Sequence, residues 1–151
     1  MSRSSKYQVK DSVGFWLTLS ARSVEGVFEE VLKEYEITRL GYCIMSAIEN
    51  CDLDNPSQIA DYLQIERSTI SRTLKKLEAR NLVERTPEEA DRRFICLGLT
   101  ESGKRILPQL ISGSKKANKE LKRTLSKQEI TQLEKILKKI SSSGIRSPKS
   151  L

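Results

Sequence analysis

The stretch Asn55–Leu82, NPSQIADYLQIERSTISRTLKKLEARNL, limits the possible folds more than any other part of the chain. It reads as two short helices joined by a tight bend. Asn55 can cap the first helix, Pro56 suits its first position, and Gln58 stands where a capping box places an amide. Ile59, Ala60 and Leu63 give that helix one apolar face. The bend falls at Gln64 and Ile65, and a second helix carries Ile70, Leu74 and Leu77 at helical spacing. Ser68, Thr69, Ser71, Arg72, Lys75, Lys76 and Arg80 are left for its other faces. Short hydroxyls allow a backbone to come close to a duplex, and long cations reach base edges and phosphates. The pattern predicts a helix-turn-helix.

Composition removes several competing classes. The 151 residues suffice for one core-forming unit, and 31% charged with 5% aromatic residues favours helices over a sandwich or barrel. No apolar run approaches the ~20 residues of a membrane span, and MSRSSKYQVK lacks the apolar segment of a signal peptide. The expectation is a cytoplasmic protein with no membrane partner. Cys43, Cys51 and Cys96 are odd in number and unpaired in spacing, which indicates neither a disulfide framework nor a metal site. Cys43 and Cys96 fall in apolar segments and read as buried, inert thiols rather than a redox switch. The chain has no histidine. With no phosphate-cradling glycine loop and no paired-carboxylate site, an enzyme is not expected, nor is a cofactor.

Net charge is a weaker guide. The chain carries +7, yet residues 1–100 hold 14 basic against 16 acidic side chains, and residues 101–140 hold 11 against 4. Between Arg67 and Arg93 the count is 8 against 5, a modest local surplus. Affinity for a polyanion must then rest on where charges are placed. The run Lys115–Arg123 reads better as a solvated helix face than as a second binding surface.

The rest of the chain frames the helix pair. From Asp11, read as an N-cap, to about Tyr35, the residues Val13, Trp16, Leu17, Val24, Val27, Phe28, Val31 and Leu32 recur at helical steps. Thr38 caps a helix through Ile48, and Cys51–Asn55 form a polar turn. Asn81 suits a left-handed helix end. Leu82–Arg85 and Phe94–Leu99 read as strands around a charged loop, a hairpin that makes a wing. A long helix follows from Thr100 to about Leu125, with Pro108 and Gly113 expected to distort it. Ser126–Glu129 opens a last helix with a capping box. The terminal helices carry too much apolar stripe for a lone monomer of this size, which predicts a homodimer.

The wing carries the clearest family pattern. Asp91-Arg92-Arg93 is followed by a strand and then by Leu99-Thr100-Glu101-Ser102-Gly103, similar to the D-x-R step and L-T-x-x-G of the MarR family of winged-helix transcription regulators. Ile59-Ala60, Leu63, Ile65, Arg67–Arg72 and Leu77-Glu78 resemble its helix-turn-helix. The likeness spans residues 11–140 in element order, with its specific motifs in 57–103. Two departures stand out: Gln64 replaces the glycine common at the turn, and Glu88 and Glu89 put negative charge near the wing tip.

The resemblance implies a mainly α fold with a small two-stranded β-wing: a winged helix-turn-helix plus dimerisation helices from both chain ends. It divides the chain into an N-terminal dimerisation helix (1–36), a winged helix-turn-helix (37–100), C-terminal dimerisation helices (101–141) and a loose tail (142–151). It implies a dimeric regulator, most often a repressor, on a pseudo-palindromic double-stranded DNA operator. Arg72 and Lys75 would reach base edges, with Ser68, Thr69, Ser71 and Lys76 on bases or phosphates. Ser57 would meet phosphate, and Arg93, braced by Asp91 beside Arg92, would enter the minor groove. It also implies a small aromatic or phenolic effector, for which Trp16 and Tyr42 are the candidates; core or seam packing is the better reading of each aromatic alone. The alternative is a winged-helix protein-interaction module without DNA binding, suggested by the acidic wing residues.

Overall fold

The first long helix starts one residue later than its polar flank suggests. Asp11 does not cap it: Val9–Asp11 form a 3-10 turn, and the Asp11 carboxylate accepts the Gln8 N–H at 2.8 Å. Ser12 takes the N-cap place without a side-chain bond, and α1 runs Val13–Glu34. The structure, a computed structural model, describes residues 7–87 and 95–143. After α1 come α2 (Arg39–Cys51), α3 (Pro56–Leu63) and α4 (Arg67–Ala79). The hairpin β1 (Val83–Pro87) and β2 (Ile95–Leu99) follows, then α5 (Glu101–Arg123) and α6 (Lys127–Ser141). The fold is mainly α with one small antiparallel sheet, as the sequence predicts.

Caps explain most helix starts. The Thr38 hydroxyl accepts the Gly41 amide at 3.1 Å and opens α2, which extends a turn beyond Ile48 to Cys51. Asn55 caps α3, but its side chain takes the Ser57 amide at 2.8 Å and no reciprocal bond from Gln58 completes a box. At α6 the box is complete. The Glu129 carboxylate accepts the Ser126 amide and hydroxyl, each at 2.7 Å, and these bonds hold its carboxyl below its usual pKa.

Four helices end by one device. Glu36, Asp52, Gln64 and Asn81 adopt left-handed backbone with φ of 52°, 52°, 55° and 54°. In each case the following amide reaches back over the last turn: Ile37 to Leu32 O, Leu53 to Ala47 O, Ile65 to Ala60 O and Leu82 to Leu77 O. The same four residues turn their side chains inward. Ile37, Ile65 and Leu82 are buried and Leu53 packs on the core. This hydrophobic closure of a left-handed cap outweighs the absence of glycine. A non-glycine left-handed residue costs roughly 1–2 kcal/mol, partly offset by the lower chain entropy of an unfolded non-glycine residue. Gln64→Gly should therefore stabilise the protein by about 0.5–1 kcal/mol. A thermal melt that is unchanged or lowered would count against this account of the turn.

One core joins α1 through α5 and the hairpin. Phe28 and Leu32 of α1, Ile44 and Met45 of α2, Ile59 of α3, Ile70 and Leu74 of α4, and Leu110 of α5 are fully buried in it. α1 lies along α5, close enough that a Cβ on Gly113 would meet Val31 at 3.0 Å. That approach gives Gly113 its purpose, and α5 runs unbroken through it and through Pro108. The wing base is tied in by the hairpin register Val83↔Leu99 to Pro87↔Ile95. The Leu97 amide also donates to Asp54 O at 2.8 Å, holding β2 to the turn before α3. Pro87, expected in the loop, closes the register instead because the pairing continues two residues past Arg85.

Part of the apolar surface stays outside this core. Val13, Trp16, Leu17, Leu19 and Val27 of α1 and Ile136 and Leu137 of α6 are exposed, and no residue of α6 is buried. No helix among the described residues is long and apolar enough to cross a membrane.

Candidate nucleic-acid interface

The helix α4 presents its outer face because Ile70, Leu74 and Leu77 are all spent on the core. Ser68, Arg72, Lys75 and Lys76 are exposed on the opposite side, whereas Thr69 and Ser71 are half-buried on the flanks. Among the described residues no ion pair neutralises Arg72, Lys75 or Lys76. One flank of the helix borders a groove of about 420 Å³ in which Thr69, Arg72, Thr73 and Lys76 face Glu25 and Glu29 of α1. The cations on this flank thus look across at carboxylates, and Ser68 and Lys75 stand away from them.

Two expected contacts are reassigned by the geometry. Arg80 does not join the outward cations. Its guanidinium turns to the end of α1, donating to Tyr35 O at 2.8 Å and to Glu36 O. The negative end of a helix attracts a cation that the helix's own orphan carbonyls can bind. Ser57 sits at the start of α3, but its amide is held by Asn55, which leaves its hydroxyl as the available donor. Asp91, Arg92 and Arg93, with Glu88 and Glu89, lie outside the described residues.

The wing is braced against α4. Arg85 of β1 meets Glu78 at 2.6 Å, with both side chains about one-third exposed (35% and 29%). This short, charge-assisted contact orients the hairpin relative to the outward helix.

Trp16 and Tyr42 are not brought to one cavity. Trp16 is half exposed, donates its indole N–H to Lys10 O at 2.8 Å, and lines an open groove of about 430 Å³ with Val27, Ala117 and Leu121. Tyr42 packs edge-on against Phe28 at 4.9 Å between ring centres. A residue that sequence reasoning passed over lies nearby. Arg39 reaches Glu25 at 3.5 Å and covers the Phe28 ring at 5.2 Å, and its Nη2 is buried with no hydrogen-bond partner among the described residues. A small cavity of about 130 Å³ there is lined by Val24, Glu25, Phe28, Arg39, Ser114, Ala117 and Asn118. Only its place directly after the Thr38 cap hinted at it, since that position faces back toward α1.

The cysteines differ in setting. Cys43 is half-buried, and burial pushes its thiol pKa up, as suits an inert group. Cys51 is exposed and its thiol approaches the Tyr62 hydroxyl at 3.6 Å, a contact that raises the tyrosine's pKa.

Known proteins with this arrangement agree with one another. A sequence model of the MarR family matches residues 36–93. The HTH-type transcriptional regulator SarZ of Staphylococcus aureus is 36% identical over 92 residues, 61% of this chain and 62% of SarZ. The match therefore spans less than two thirds of that relative's length. In overall shape the chain is similar to S. aureus MepR in a MepR–DNA complex, with TM-score 0.75 and 25% identity over 87% of this chain and 98% of MepR. It is also similar to a mutant MarR from E. coli complexed with operator DNA, with TM-score 0.73 and 25% identity over 85% and 92% of the two chains. Over residues 36–93 the chain is similar to the MarR family, and in its fold it is similar to MepR and MarR.

Proposed function

We propose that this protein is a homodimeric, sequence-specific double-stranded DNA-binding transcription regulator, a repressor whose binding a small effector modulates. The observation that carries the reading is the outer face of α4, where Ser68, Arg72, Lys75 and Lys76 stand exposed without ion-pair partners among the described residues. The helix enters a major groove, Arg72 and Lys75 reach base edges, and Lys76 with the Ser57 hydroxyl takes phosphate. Thr69 and Ser71 act from the flanks. Asp91, Arg92 and Arg93, between the two strands in sequence, serve the adjacent minor groove. SarZ's name and the DNA complexes of MepR and MarR support this assignment.

The exposed apolar residues of α1 and α6 support a second copy of the chain as partner. A twofold dimer sets its two α4 helices one DNA turn apart and favours a pseudo-palindromic site. The buried, unpartnered Nη2 of Arg39 favours an effector with an acceptor group, an aromatic acid or phenol, in the cavity beside Phe28.

The test is selection of duplexes from a random-sequence pool by the purified protein, followed by a salt series. Specific binding should weaken steeply with salt, with a log–log slope of about −0.9 per phosphate contacted. Sedimentation should give two copies of the 17.2 kDa chain at micromolar concentration. No duplex binding even at low salt would favour the protein-interaction reading, and a monomer would remove the twofold operator.

A further inference from the structure

We infer that Arg80 is a positioning residue for DNA reading, fixing the end of α4 to the end of α1 so that the dimer holds its two recognition helices at one separation. The inference rests on the DNA-binding dimer proposed above.

Three contacts converge on this side chain. Nη2 donates to Tyr35 O at 2.8 Å and lies 3.6 Å from Glu36 Oε2, while Nη1 donates to Glu36 O. The acceptors are themselves fixed. Glu36 is locked in its left-handed cap, the Ile37 amide bonds Leu32 O at 2.9 Å, and the Ile37 side chain is buried. Arg80 is the C-cap of α4, directly after Ala79, so the fork binds the end of one helix to the end of another. Two residues earlier Glu78 bonds Arg85 of the wing at 2.6 Å. The last turn of α4 is thereby held by the wing on one side and by the apolar-striped helix α1 on the other.

The contact has little else to contribute. At 37% side-chain exposure, the ion pair to Glu36 is of the surface kind that adds little stability. A planar fork aimed at two adjacent carbonyls supplies direction, which a lysine ammonium reproduces only in part. Because α1 bears the exposed apolar residues that would meet the second copy, any change in its tilt passes through this fork to α4. The quantity at stake is the geometry linking two half-sites. Simultaneous engagement of two sites multiplies affinity, and the gain is lost when geometry forbids it.

The experiment compares wild type, Arg80→Ala and Arg80→Lys on three duplexes derived from the one the wild type selects. These are the full site, a version with one half-site scrambled, and a version with extra base pairs between the half-sites. Fluorescence anisotropy at low salt reads each affinity, and a thermal melt reads folding. Arg80→Ala should weaken full-site binding by about tenfold or more, leave half-site affinity unchanged, and shrink the penalty for the inserted base pairs. Arg80→Lys should fall between it and the wild type. Equal loss on all three duplexes would overturn the inference in favour of a direct phosphate contact or general destabilisation, and no loss would overturn it outright. If the wild type selects no duplex, the DNA-binding reading falls first and takes this one with it.

Discussion

Gly103→Ala should lower the melting temperature by about 10 °C or leave the chain unable to fold, the largest effect expected from any single added methyl. A Cβ at this position would lie 2.1 Å from Leu82 O and 3.1 Å from Leu82 C. Neither atom is the end of a flexible side chain, so relief requires the first turn of α5 to lift off the start of the wing. That turn is held by three hydrogen bonds. The Thr100 amide donates to Leu82 O at 3.2 Å, its hydroxyl donates to Asn81 O at 2.6 Å, and the Gly103 amide donates to that hydroxyl at 3.1 Å. Thr100 is itself buried, so bonds broken there are not replaced by water. Overpacking costs ~1–3 kcal/mol where side chains can yield, and a backbone neighbour puts this case at about 3 kcal/mol or above. Gly26→Ala is the control: its Cβ would meet nothing within 4 Å, and it should melt at or above the wild-type temperature. If the two variants melt alike, the packing explanation of the L-T-x-x-G motif is wrong.

The second large effect is on binding rather than folding. Arg72→Ala should cost about 1–3 kcal/mol of preference for the selected duplex over random DNA while leaving the melt unchanged, since the side chain is exposed. Lys76→Ala should instead weaken all duplexes by a similar factor and reduce the salt slope by about one, as removal of a phosphate contact does. The contrast separates reading from anchoring. Discrimination by Arg72→Ala equal to that of wild type would take Arg72 off the base edges and leave Lys75 as the reader.

Much of this was legible from residues alone, wherever a local pattern has one cheap solution. The apolar spacing of Ile70, Leu74 and Leu77 allowed only one inward face, so the exposed cations of α4 followed. Ser126 and Glu129 made their reciprocal cap, and Gln64 and Asn81 took the left-handed ends that the helix breaks required. Where two local solutions compete, the reading slipped. Asn55 could bond the second or third amide of α3 and chose Ser57, and Asp11 joined a 3-10 turn instead of capping α1.

Other features arise from pairing distant parts of the chain, and no local spacing encodes them. Arg80 looked like one more outward cation until α1 placed its last carbonyls within reach of it, 44 and 45 residues away. Arg39 gained its significance from Phe28 and Glu25 on one side and Ser114 and Asn118 on the other. Gly103 was recognisable as part of a motif, but its reason, the carbonyl of Leu82 lying where a Cβ would be, exists only once the wing folds back on α5. The sequence by itself determined the elements and the face each would bury, because helical period and capping chemistry act within a few residues. Only the tertiary structure decided which cation is held by another helix's end, and that one nitrogen of the Arg39 guanidinium is buried without a hydrogen-bond partner among the described residues, because those depend on electrostatics and packing between segments far apart in the chain.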